Sequence, residues 1–349
     1  MLTLLTFSLL LGSLTCKRDD FARLIKAVNS SSKTWRAGFD PTLNYDRDEV
    51  LLMLASGARD DQIMLEKTLQ SGRRRFLQQT FTNFLKSDGA MINSKEDNKA
   101  LPENFDLRQK YLRCRSLRIV RNQSTCSSCW SFAAMNSISD AYCISKVNNG
   151  GLQERFFSPQ DSLECCTSCH FDVQNPCIGG YLYQAFKYAK NQGVVSGDGF
   201  NSQALCKPYY LPELFTEIPS KPKCYDKCSA SSKIGDYESD RIKLSEFVYG
   251  KGVNNLMIAL NSLGSVAVTM RIYQDFLLYQ KGIYKHEYGN YMGNHAVRII
   301  GYGKEDGTDY WLAVNSWGTN WGERGFFKIQ RGTNECEIEA DFFFVPLFK

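Results

Sequence analysis

Gln123-Ser124-Thr125-Cys126-Ser127-Ser128-Cys129-Trp130 is the stretch around which the chain is organised. After Trp130 the sequence runs Ser-Phe-Ala-Ala-Met-Asn-Ser-Ile-Ser-Asp, with neither Gly nor Pro to break a helix. Cys129 then falls in the first turn of that helix. A helix N-terminus carries partial positive charge and unpaired N–H groups, so it favours a thiolate there. A thiolate attacks carbonyl carbon but needs an imidazole partner and donors for the oxyanion that forms.

Only three histidines are candidates: His170 among cysteines, His286 after Ile-Tyr-Lys, and His295. His295 opens Ala-Val-Arg-Ile-Ile-Gly, an apolar run bounded by glycine that reads as a buried strand. In Tyr310-Trp-Leu-Ala-Val-Asn315-Ser-Trp317-Gly the alternation of Tyr310, Leu312 and Val314 predicts another strand, with Asn315 at its end. An amide oxygen there can accept an imidazole N–H and fix its tautomer. Gln123 can direct a side-chain N–H at the oxyanion.

Gln-x-x-Cys-x-x-Cys-Trp, then Asn-His-Ala-Val, then Asn-Ser-Trp-Gly resembles the papain-like cysteine proteases. Leu101-Pro-Glu-Asn-Phe-Asp-Leu-Arg, Cys165-Cys166, Cys177-Ile-Gly-Gly-Tyr181 and Asp275-Phe-Leu-Leu-Tyr-Gln-Lys-Gly-Ile-Tyr284 resemble the cathepsin B branch. The likeness runs unbroken over 101–349 and is weaker before it. It implies an α+β fold of two domains: a helical left domain at about 101–235 and a β-barrel right domain at about 236–349, with the cleft between them and the C-terminus crossing back. Further candidate strands are Ser265–Thr269 and Gly325–Ile329.

The resemblance assigns roles. Cys129 is the nucleophile, His295 the base, Asn315 the orienter of His295, and Trp317 the shield over that contact and a substrate-binding wall of the primed side. Gln123 and the Cys129 backbone N–H bind the oxyanion. Gly179 and Gly180 let substrate backbone approach closely, with Tyr181 and Ala296 also at substrate-binding positions. Asp341, in Glu335-Cys-Glu-Ile-Glu-Ala-Asp341, lies at the floor of the S2 subsite. The implied disulfides are Cys114–Cys143, Cys126–Cys177, Cys165–Cys224, Cys166–Cys169 and Cys206–Cys228. That accounts for the 13 cysteines once Cys129, a free Cys336 and Cys16 at the leader boundary are set aside. No cofactor and no metal is implied.

The sequence departs from the family in places. Ser124 and Ser127 stand where the family usually has glycine, which narrows the approach to the first subsite or bends the backbone. The interval between Cys206 and Cys224 holds no histidine, is shorter than the cathepsin B occluding loop and lacks that loop's own disulfide. Its Glu213 and Glu217 repel a substrate carboxylate, whereas Lys221 and Lys223 could receive one. The resemblance to cathepsin B therefore does not extend to its removal of C-terminal dipeptides. Other readings of the same residues are a catalytically silent binding protein on a protease scaffold, a thiol oxidoreductase using Cys126-Ser-Ser-Cys129, and a zinc site of Cys126-x-x-Cys129 with Cys166-x-x-Cys169.

Met1 to about Thr15 is Leu-rich and free of charged side chains, then gives way to Lys17-Arg-Asp-Asp20. It is too short to span a bilayer and reads as a signal peptide over 1–16, an uncleaved anchor being the alternative. Entry into the secretory pathway permits disulfides and leads to a lysosomal or extracellular protein with no membrane attachment after cleavage. Residues 17–100 read as a propeptide that inhibits the enzyme, or otherwise as a separate helical domain. Phe21, Leu24, Ile25 and Val28 follow helical spacing after Asp19 and Asp20, and 48–54 and 62–65 are further short candidates. Trp35-Arg-Ala-Gly38 resembles a cathepsin B propeptide motif. Arg73–Arg75 and Asn93–Ala100 are exposed, cleavable stretches. Asn29-Ser-Ser31 and Asn122-Gln-Ser124 are N-glycosylation sequons, and a glycan on Asn122 would crowd the oxyanion residue. Residues 17–100 hold 15 Lys/Arg against 12 Asp/Glu, and 101–349 hold 27 against 25. So even a balance implies neither nucleic acid nor membrane partners. The expected partners are protein or peptide substrates and the chain's own propeptide, the enzyme being a monomer.

Overall fold

The computed structural model describes residues 21–38, 90–91, 101–200, 202, 204–212, 223–229 and 232–348. The expected signal peptide with Cys16, the expected caps Asp19 and Asp20, the patterns at 48–54 and 62–65, Arg73–Arg75, Asn93–Ala100, Glu213, Glu217 and Lys221 lie outside them.

The long buried helix is α1, Cys129–Asn148. Every residue from Cys129 to Ile144 is buried, so the helix is enclosed all round. Several of its polar side chains are paired inside the protein. Ser139 Oγ donates to Met135 O at 2.7 Å, and Asp140 meets Arg298. Shorter helices α2 (Pro159–Cys165) and α3 (Leu182–Asn191) pack on α1 or beside it. Ser158 caps α2 by accepting from Asp161 N, with Pro159 at the first helical position. A fourth helix, α4, spans Val253–Ser262.

Ten strands form one sheet. They are β1 (Trp35–Ala37), β2 (Ala90–Met91), β3 (Phe105–Asp106), β4 (Glu246–Gly250), β5 (Val266–Tyr273), β6 (Tyr279–Tyr284), β7 (Tyr291–Glu305), β8 (Thr308–Val314), β9 (Phe326–Gln330) and β10 (Phe343–Leu347). The order is β1-β6-β9-β8-β7-β5-β10-β4-β2, with β3 on β7. The expected β-barrel is not closed. Among the described residues the path is open, because the edge strands β6 and β4 pair with β1 and β2 from the N-terminal region and not with each other. That cover satisfies backbone groups that a bare edge would expose.

The N-terminal segment is anchored by the residues that its helical spacing selects. Residues 21–31 are helical; Val28 is buried, and Phe21, Leu24 and Ile25 pack against the same core. The Asn29 amide donates to Ala37 O at 2.8 Å and accepts from Ala37 N at 2.9 Å. This sequon side chain thus holds β1 in place. Trp35 is buried against Tyr284, ring centroids 5.0 Å apart, and donates Nε1–H to Lys285 O at 2.9 Å.

Two apolar cores flank the sheet and α1. One joins α1 to α3 and to Tyr209, Phe247 and Phe344; the other joins β5–β9 to Leu107, Leu117 and Trp35. Both ends of 101–349 cross between them. β3 near the start pairs in the sheet, whereas Phe348 near the end stacks on Phe157 and meets Tyr142 beside α1. Five disulfides form: Cys114–Cys143, Cys126–Cys177, Cys165–Cys224, Cys166–Cys169 and Cys206–Cys228. These are the pairs that the resemblance implies. They consume Cys126, Cys166 and Cys169, which leaves the zinc reading only Cys129 of its four ligands, and among the described residues no His/Cys/Asp/Glu group could hold a metal.

Candidate active site

Cys129 is the first residue of α1 and is not disulfide-bonded. The residue before it, Ser128, makes no side-chain cap on the helix. Its Oγ lies 3.0 Å from Tyr209 Oη instead. No side-chain cap from Ser128 therefore offsets the positive end of the helix at the Cys129 position.

His295 lies on β7, which packs against α1, and is buried. Its Nε2–H donates to Asn315 Oδ1 at 2.8 Å. The same oxygen accepts Ser316 N–H at 2.8 Å. Two donors on one oxygen fix which way the Asn315 amide faces, and so hold the imidazole. With Nε2 committed to Asn315, Nδ1 is the ring nitrogen that the general-base reading uses. Trp317 lies over the imidazole, ring centroids 4.8 Å apart, and rests on Phe276 and Trp321.

Gln123 is buried and held from four sides. Nε2 donates to Cys126 O at 2.7 Å, and Oε1 accepts from Ser316 Oγ at 2.6 Å. Its backbone N–H donates to Ser316 O at 2.9 Å, and its carbonyl accepts from Tyr209 Oη at 2.8 Å. Amide nitrogen carries two N–H groups. With one directed at Cys126 O, the second is the donor that the oxyanion reading requires. Ser124, the next residue, adopts φ +57°, a left-handed conformation that favours glycine. Its N–H donates to Asn122 Oδ1 at 2.8 Å, which supports the turn. Ser127 is not among the positive-φ residues, and its N–H donates to Cys177 O at 3.0 Å. Of the two departures from glycine, only Ser124 is conformationally strained.

Gly179 has φ +125°, and its carbonyl accepts from Phe171 N. Tyr181 N donates to Cys169 O, so 169–171 pair with 179–181 across the His170–Gly180 bridge. Gly180's own N–H and C=O then face the other edge, where an extended substrate could pair. A Cβ on Gly180 would lie 2.3 Å from Cys169 O and 2.6 Å from the Trp130 indole. Contact with α1 alone thus requires glycine there. Tyr181 precedes α3 and meets Phe171 edge-on.

Ala296 is buried on β7, paired with Thr269 of β5. Thr269 Oγ1 donates to Asp341 Oδ2 at 3.1 Å, which brings Asp341 beside that strand pair. Burial raises the Asp341 carboxyl above its ordinary value, while the Thr269 hydrogen bond and Lys251 oppose the shift. The thiol of Cys336, also not disulfide-bonded, is pushed up by burial and then by the Glu335 carboxylate.

Three contributors carried no signal in the sequence. Ser316 holds Gln123 and Asn315 together. Tyr209 ties Gln123 to Ser128. Arg298 forms a buried ion pair with Asp140 at 2.6 Å, which clamps β7 to α1. Ser316 lies inside a motif that was read for its neighbours, and the others are remote in sequence.

Residues 101–345 match the family described as papain family cysteine protease. Cathepsin B-like cysteine proteinase 3 of Caenorhabditis elegans is 38% identical over 247 residues, covering 69% of this chain and 65% of that one. The gut-specific cysteine proteinase of the same nematode is 39% identical over 244 residues, covering 69% and 72%. Among solved structures, proCathepsin B S9 from Trypanosoma congolense superposes with TM-score 0.72 at 27% identity, covering 95% of this chain and 98% of that one. Digestive procathepsin L2 from Tenebrio molitor larval midgut shares the fold, with TM-score 0.64 at 23% identity over 96% and 91%. Both structures are proforms, and their coverage takes in the N-terminal region of this chain. With the matched family spanning the nucleophile helix, the His295 strand and the Asn315 turn, the chain belongs to the papain family of cysteine proteases.

Proposed function

We propose that the protein is a cathepsin B-like endopeptidase that hydrolyses internal peptide bonds through Cys129. The observation that carries this reading is the His295 Nε2–Asn315 Oδ1 contact of 2.8 Å, on a strand packed against the helix that Cys129 begins. His295 Nδ1 takes the thiol proton as sulfur attacks the carbonyl carbon. The oxyanion is received by Gln123 Nε2 and the Cys129 N–H, each worth ~3–4 kcal/mol in comparable sites. His295 returns the proton to the leaving amine as the C–N bond breaks. A water, deprotonated by His295, then releases the acyl group. Gly180 pairs with the substrate backbone, and Asp341 makes the S2 subsite partly acidic.

The N-terminal region acts as an inhibitory propeptide, released near Leu101, and the chain passes through the secretory pathway to a lysosomal or extracellular site. Trp35 docking on β6 and the likeness to proforms support the first statement; five disulfides support the second. Among the described residues no helix is long and apolar enough to cross a membrane. Dipeptide release from a free C-terminus is not expected, since the 207–223 interval lacks histidine. The test compares an internally quenched peptide bearing a free C-terminus with the same peptide amidated. Equal cleavage of both at internal bonds is expected. Stepwise dipeptide release confined to the free acid would contradict the reading.

A further inference from the structure

One cavity adjoins the site on the side of Trp317, and a second shares Phe200 with it. The nearer one holds about 540 Å³ and is walled by Ile119–Asn122 and Gly318–Thr319 on one face, and by Asp198, Phe200 and Leu211 on the other. Its first wall is continuous with the active residues: Asn122 bridges Trp317, and Gly318 N donates to Arg121 O at 3.1 Å. The second cavity holds about 400 Å³ and is walled by Pro208, Tyr209, Tyr210, Tyr225 and Lys207. Phe200 lines both and is 47% exposed.

His295 must protonate the leaving amine, so the leaving segment departs along the His295–Trp317 side, toward the nearer cavity. The two buried cations in the cavities, Arg121 and Lys207, are already engaged. Arg121 donates to Phe157 O at 2.9 Å and Gly197 O at 3.4 Å, and pairs with Asp198 at 2.9 Å. Lys207 pairs with Asp161 and Glu164, each at 3.0 Å. Neither offers a vacant charge to a terminal carboxylate; exposed Lys227 lies at the rim of the far cavity, and the apolar surface that remains is the rings of Phe200, Tyr210 and Tyr225. We propose that the two cavities are one groove that holds the leaving-side substrate chain for several residues, with Phe200 and Tyr225 receiving an aromatic side chain. The inference rests on the reading of Cys129 and His295 as the reacting pair. The far cavity is also coupled to the chemistry. Tyr209 in its wall donates to Gln123 O at 2.8 Å and lies 3.0 Å from Ser128 Oγ. Filling the groove therefore braces the oxyanion loop and raises kcat as well as lowering KM.

The test uses protein activated from the full chain and three internally quenched, amidated peptides with the same residues before the scissile bond. One ends two residues after that bond, one continues for six with glycine at the distal positions, and one continues for six with phenylalanine there. Burial of one aromatic ring corresponds to about tenfold in kcat/KM for the phenylalanine peptide over the short one. Phe200→Ala should remove most of that ratio while active-site titration shows the same active fraction, and Tyr209→Phe should remove its kcat part. Equal rates for short and long peptides, or an unchanged ratio in Phe200→Ala, would overturn the groove. Protein that cleaves none of the three would refute the catalytic reading itself, and the groove with it.

Discussion

Removing the Asp140 carboxylate should destabilise the protein by about 3 kcal/mol, the low end of the cost of leaving one partner of a buried ion pair alone. The low end applies because Arg298 would keep part of its solvation. Besides Asp140 Oδ2 at 2.6 Å, its guanidinium donates to Ser116 O at 3.3 Å, Asn136 O at 3.5 Å and Ile119 O at 3.1 Å. Replacing both charges, as Asp140→Leu with Arg298→Met, leaves no stranded cation and should fall within ~1 kcal/mol of the parent. The assay is urea unfolding of the full chain in a Cys129→Ala background, which prevents self-cleavage. At slopes of ~1–3 kcal/mol per M the single variant loses roughly 1–3 M in midpoint. The clamp joins the helix that carries Cys129 to the strand that carries His295, so Asp140→Ala in the active background should also lower kcat. If the single and double variants are equally unstable, or the single variant costs under ~0.5 kcal/mol, the clamp does not act as described.

Two further outcomes are expected. Because burial raises the Asp341 carboxyl, its negative charge is lost, as pH falls, earlier than that of an exposed aspartate. The ratio of kcat/KM for arginine over phenylalanine at the second residue before the scissile bond should therefore decline with acidification in the parent and stay flat in Asp341→Ala; a flat parent ratio would remove Asp341 from that subsite. Ser124→Gly relieves a left-handed residue at φ +57°, worth ~1–2 kcal/mol, against ~0.4–1 kcal/mol of added unfolded-chain entropy. Net stabilisation of ~0.5–1 kcal/mol should appear in thermal unfolding, and destabilisation would show that the turn is not strained.

The site was legible where its residues are close in sequence or at element ends. The unbroken run after Cys129 marked α1, alternation marked β8 with Asn315 just beyond it, and the apolar run after His295 marked β7, which begins earlier, at Tyr291. What holds those residues in place was not legible. Ser316 meets Gln123 across 193 positions, Arg298 meets Asp140 across 158, and Tyr209 meets Ser128 across 81. Local periodicity says nothing about such contacts. Barrel closure failed for a related reason. It depends on strand tilt and stagger, which alternation does not encode, and here the N-terminal strands cover the edges. Glycine at Gly180 was read as room for substrate, whereas Trp130 alone already requires it.

The central claim, that Cys129 is the reacting nucleophile, is tested most directly by covalent labelling. The activated protein is incubated at neutral pH with an active-site-directed epoxide, and labelled peptides are identified by mass spectrometry. Cys336 serves as an internal control, since burial and Glu335 hold its thiol protonated. The account predicts one label per chain, on Cys129, with hydrolysis lost in proportion and labelling strongly slowed in His295→Ala. Label on Cys336, or hydrolysis that persists with Cys129 fully modified, would contradict it.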